Sequence, residues 1–74
     1  MDREPLLEIL EDMKGTTKEL DLAVVGEDEP IELRNVVDAE PLHSAHGVKI
    51  TTKQNHIWLD SSHVSVAWQA RTDL

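Results

Sequence analysis

Four histidines, His43, His46, His56 and His63, are the most distinctive functional groups in this 74-residue chain. Imidazole is the commonest neutral metal ligand, and zinc asks for about four ligands in a tetrahedron. The two pairs, joined by Asp60, would supply such a set if the loops that carry them converged. Their spacing follows no standard zinc pattern, so they stand as weak metal candidates and the expected cofactor is none. A pH-sensitive contact is the other chemistry that histidine offers. Asp60-Ser61-Ser62-His63 holds the residue types of a hydrolytic triad. They are contiguous, however, whereas a triad needs three groups converging from separate elements. No catalytic residue is assigned, and the expectation is a protein that is not an enzyme. The acidic run Gly26-Glu27-Asp28-Glu29-Pro30 lacks the ligand spacing of a calcium loop and reads as a solvated turn.

These residues sit on or beside two apolar runs, His56-Ile57-Trp58-Leu59 and Val64-Ser65-Val66-Ala67-Trp68-Gln69-Ala70. In the first, Ile57 and Leu59 share one face and His56 and Trp58 the other. In the second, Val64, Val66, Trp68 and Ala70 fall on alternate positions and are expected to point inward. Asp60 suits an Asx turn or a helical cap, which predicts about one turn of 3₁₀ helix that sends the second strand off at an angle. Upstream, Leu6, Leu7, Ile9, Leu10 and Met13 form the stripe of an amphipathic helix at about residues 3–14. Asp2 is its expected N-cap, and Pro5 lies within its first turn. That stripe suits either ordinary core, closing one end of a sheet, or an adhesive face for a partner. Leu20, Leu22 and Val24 alternate with Glu19, Asp21 and Ala23, a strand with one wet face. Ile31 and Leu33 begin the next strand, with Glu32 and Arg34 facing out. Asn35-Val36-Val37 suggests a bulge or bend. Residues 38–47 are the least regular stretch, and Pro41 marks an edge or a break. Val48, Ile50 and Thr52 mark a further strand. Gln54-Asn55 follows as a turn in which Asn tolerates a left-handed conformation.

The fold class is therefore mainly β: an N-terminal helix, then a five-stranded, strongly bent antiparallel sheet or small barrel over about residues 18–71. Residues 1–74 make a single domain. Such a chain buries only about 60% of the surface its unfolded form exposes. Chains below roughly 70–80 residues often need disulfides, a metal or self-association. There is no cysteine, which puts self-association first. No apolar stretch approaches the roughly 20 residues that span a bilayer, so the expectation is a cytoplasmic protein with no membrane partner. The net charge is −8 and uneven: residues 1–40 carry 13 acids and 4 bases, residues 41–74 carry 2 acids and 3 bases. An acidic surface repels a phosphate backbone, which disfavours non-specific nucleic-acid binding.

A capping helix, five strands and a short turn before the last one resemble the layout of the Sm-like group of small SH3-like barrels. The strand from Ile31, the strand Val48–Thr52, then Ile57-Trp58-Leu59 and the turn into Val64-Ser65-Val66 look like that fold's second to fifth strands. The resemblance implies rings, formed where the fourth strand of one subunit pairs with the fifth of the next, and RNA bound at loops facing the pore. The family's aspartate-and-asparagine RNA loop has no counterpart around His43 to Val48. Asp60-Ser61-Ser62-His63 replaces its basic-glycine element, so no RNA-binding residue carries over. The leading expectation is an interaction and assembly module, homo-oligomeric, a ring being one arrangement it allows, with an interface formed by Ile57, Trp58, Leu59, Val64, Val66 and Trp68. On that reading Val66→Asp abolishes folding and assembly together. The alternative is RNA or single-stranded nucleic-acid binding, with Lys49, Lys53 and Arg71 on phosphate and a tryptophan stacking on a base.

Overall fold

The computed structural model describes residues 1–69. Helix α1 spans Arg3–Met13. Asp2 takes the extended N-cap conformation without making a side-chain capping bond, and Glu4 lies in the first turn, where the helix dipole favours an anion. Lys14 caps the other end, and Gly15, at φ 73°, turns the chain away. Leu6, Leu10 and Met13 are fully buried, so the apolar stripe is core, as the first of its two expected uses requires.

Among the described residues six strands follow rather than five: β1 (Glu19–Val24), β2 (Ile31–Arg34), β3 (Val36–Pro41), β4 (Gly47–Thr52), β5 (His56–Asp60) and β6 (Val64–Gln69). They form two antiparallel three-stranded sheets, β2-β1-β6 and β3-β4-β5. The extra strand arises at Asn35. Its φ of 55° breaks the run from Ile31 to Pro41, so β2 serves one sheet and β3 the other. Asn is one of the few residues that visits the left-handed region at modest cost. Asn55, whose type would tolerate that conformation, does not adopt it: Asn35 is the one non-glycine residue with positive φ among those described. The turn before β5 instead relies on Thr52, whose hydroxyl accepts from the backbone N–H groups of Gln54 (3.2 Å) and Asn55 (2.9 Å).

The expected bulge is present just after the break. Val36 pairs with Thr52 and Asp38 with Thr51, leaving Val37 as the extra residue. The stretch expected to be least regular is strand as far as Pro41, which ends β3 on an outer edge where a missing N–H donor costs no ladder bond. The sheets do not close into a barrel, because β5 and β6 are edge strands of different sheets and do not pair with each other. Their facing sides, with Leu20, Leu22, Leu33, Val48, Ile50 and Val64, enclose the core that α1 covers.

Candidate assembly edge

Asp60 behaves as its position predicts. Its Oδ1 accepts from the Ser62 N–H (2.9 Å) and the Ser62 hydroxyl (2.6 Å), capping the single 3₁₀ turn Ser61–His63. The Ser62 hydroxyl, then its backbone N–H, hold the Asp60 carboxyl below the ordinary carboxylate range. The carboxylate is thus spent on Ser62 rather than aligned with His63. The turn carries the chain from the edge of one sheet to the edge of the other.

On β5 the predicted alternation holds. Ile57 and Leu59 are half-buried against the core, while His56, Trp58 and Asp60 face out. Trp58 is 63% exposed, and the Lys49 ammonium lies 5.6 Å from its ring centre. On β6 the expected inward face is wrong beyond its first residue. Val64 is buried, but Val66 is 52% and Trp68 43% exposed. The cause is a bulge in the β1–β6 ladder. Val24 pairs with Val64 and Ala23 with Val66, so Ser65 has no opposite number and the phase of the strand slips by one. The Ser65 hydroxyl donates to the Ala23 carbonyl (3.1 Å) at that point. Val64 faces the core, while Val66 and Trp68 face out. The half-inward Ala67 pairs with Leu22. Val66→Asp is consequently a change at an exposed position that should leave folding intact, contrary to the sequence expectation. Ala70, the last of the alternating residues, lies outside the described residues.

All four histidines are exposed and do not converge into a metal set. His43 and His46 lie in the loop after β3, His56 opens β5 with Nδ1 3.4 Å from the Thr51 hydroxyl, and His63 ends the 3₁₀ turn. The His46 and His63 backbone carbonyls accept from Ser61 (2.8 Å) and Val25 (2.8 Å), respectively. Of the three cations considered for phosphate, Lys49 meets Trp58, and Lys53 sits in the turn after β4, its N–H on the Asn35 carbonyl (3.2 Å). Arg71 lies outside the described residues.

One group that sequence reasoning missed is acidic. Glu19, Asp21 and Glu32 place one carboxylate oxygen each within 4.8 Å of one another, the one such group of three among the described residues. Glu19 and Asp21 are visible in the sequence as the wet face of β1. Glu32 joins them only through the β1–β2 register, which sequence does not reveal.

No helix among the described residues is long and apolar enough to cross a membrane. Comparison with protein-family models, with curated proteins and with solved structures gives no match in any of the three.

Proposed function

We propose that this chain is a non-enzymatic assembly module whose copies join edge to edge, β5 of one against β6 of the next. One observation carries the reading: the four sheet edges are not guarded alike. The β2 edge bears Glu32 and Arg34, and the β3 edge bears Asp38, Glu40 and the terminal Pro41. Charges and proline are how proteins keep a free strand from pairing with another chain. β6 carries no charged residue and exposes Val66 and Trp68. β5, which precedes it across the 3₁₀ turn, has only His56 and Asp60 at its ends and exposes Trp58 between them.

Two different free edges on one subunit make a head-to-tail contact, which closes into a ring when the rotation permits. This is the habit implied by the Sm-like layout. Amide exchange at rising protein concentration tests it. Protection that grows with concentration in β5 and β6, and nowhere else, is the expected result. Concentration-independent exchange in both strands counts against it.

A second reading, single-stranded RNA binding, draws support from the Lys49–Trp58 pair, a cation beside an exposed aromatic ring. The net charge of −8 opposes it. Titration with short RNAs at low salt decides, and absence of binding leaves the assembly reading alone.

A further inference from the structure

The outer face of the β2-β1-β6 sheet carries a charge arrangement that does not balance itself. Asp21 lies directly opposite Glu32 in the β1–β2 ladder, and Glu19, two residues before it, is on the same face. Like charges directly opposite each other on a sheet are destabilising. Arg34, opposite Glu19, is the only basic residue on either strand. Its guanidinium is engaged with Glu19 and reaches Glu32 at 3.7 Å. Neither contact is to Asp21.

Asp21 is also the member that solvent cannot relieve. It is 7% exposed, and its Oδ1 has no hydrogen-bond partner among the described residues. A buried carboxylate oxygen without a donor is costly, and native structures rarely leave one so. An oxygen-only donor set on neighbouring strands, with excess negative charge and one ligand already dehydrated, is what a hard divalent cation selects.

We propose that Glu19, Asp21 and Glu32 form a binding site for a hard divalent cation of the calcium, manganese and magnesium class, with water filling the rest of its shell. Burial, followed by the nearby Glu19 charge, raises the Asp21 carboxyl above its ordinary range, in keeping with a site short of positive charge. The donor set holds neither imidazole nor thiolate, which sets it apart from a zinc site. Only three protein ligands and a competing Arg34 point to modest affinity, in the range of exchangeable sites rather than of a permanently held ion.

Manganese chloride is the probe, because a paramagnetic ion marks its own position. Added in substoichiometric amounts to the isotope-labelled chain in chelator-treated buffer, it should broaden the amide signals of Glu19 to Leu22 and of Ile31 to Arg34. The Trp68 amide should broaden with them, since Trp68 is the partner of Asp21 on the other side of β1. Calcium should compete the effect away. Asp21→Asn keeps the shape of the side chain and should weaken the effect at least tenfold while the fold persists. Glu32→Gln should weaken it as well. No broadening in the parent chain overturns the proposal. So does broadening centred on Glu27 to Glu29, or an effect that survives unchanged in Asp21→Asn.

Discussion

The two sheets carry matching rows of side chains on their outer faces, and the rows differ at their centres. In one sheet the row runs Glu40, Lys49, Trp58 across β3, β4 and β5. In the other it runs Glu32, Asp21, Trp68 across β2, β1 and β6. Each begins with a glutamate on a guarded edge and ends with a half-open tryptophan on an unguarded one. The first row balances itself. Lys49 lies opposite a carboxylate on one side and places its ammonium over an indole on the other, 5.6 Å from the ring centre. The second puts an anion where the first has a cation, so charge accumulates around a carboxylate that water scarcely reaches. A sheet face completes itself through the residue on its central strand, and where that residue has the wrong sign the face needs something from outside.

The comparison rests on equivalent inner faces, and the largest effects test that. Leu22 and Ile50 sit on the central strands and are fully buried. Leu22→Ala and Ile50→Ala should each cost about 2–5 kcal/mol, read by urea denaturation. In a domain of this size that is most of the available stability. A much smaller loss at one of them would mean that the sheets do not share one core. Next comes the balanced row. Lys49→Asp turns its centre into a copy of the other and should cost about 1–2 kcal/mol, from the lost cross-strand pair and the lost cation–π contact. The reverse change, Asp21→Asn in metal-free buffer, should raise the thermal midpoint. A fall would show that the carboxylate has a partner at home.

The smallest effect concerns the guarded β3 edge. Lys14 Nζ lies 2.9 Å from Asp38 and also pairs with Glu11 at 2.7 Å. The Lys14 contact, then the Ala39 N–H, hold the Asp38 carboxyl below its ordinary range. A group whose pKa is lowered by folding adds stability above its unfolded value, about 3.9, and loses it as pH falls through the folded value. Thermal midpoints of Asp38→Asn should therefore fall less steeply than those of the parent between about pH 4 and 2. Parallel curves would remove the pair from the account.

Much of this was readable from the chain because the signals are local. The stripe Leu6, Leu10, Met13 has helical spacing within one segment. Asp60 caps a turn two residues away. Ile57 and Leu59 alternate against a partner strand without irregularity. What failed depended on pairing. The run Val64, Val66, Trp68 looks like one face, yet a single unpaired residue, Ser65, reverses it after Val64. The break that makes six strands of five is at Asn35, in a stretch readable as a bulge or bend but not as a change of sheet. Asp21 reads as a wet-face residue, and only the register with Glu32 and Trp68 shows it enclosed. The guarding of β2 and β3 was legible as composition but had no meaning until they were seen to be edges.

The central claim is that the unguarded edges belong together in an assembly, and solution mass tests it most directly. Light scattering across micromolar concentrations should give a multiple of the 8.3 kDa subunit. Val66→Lys, a charge placed on an exposed position of β6, should reduce it to a single folded subunit with an unchanged circular dichroism spectrum. A parent chain that stays at 8.3 kDa throughout, or a Val66→Lys variant that assembles as the parent does, would contradict it.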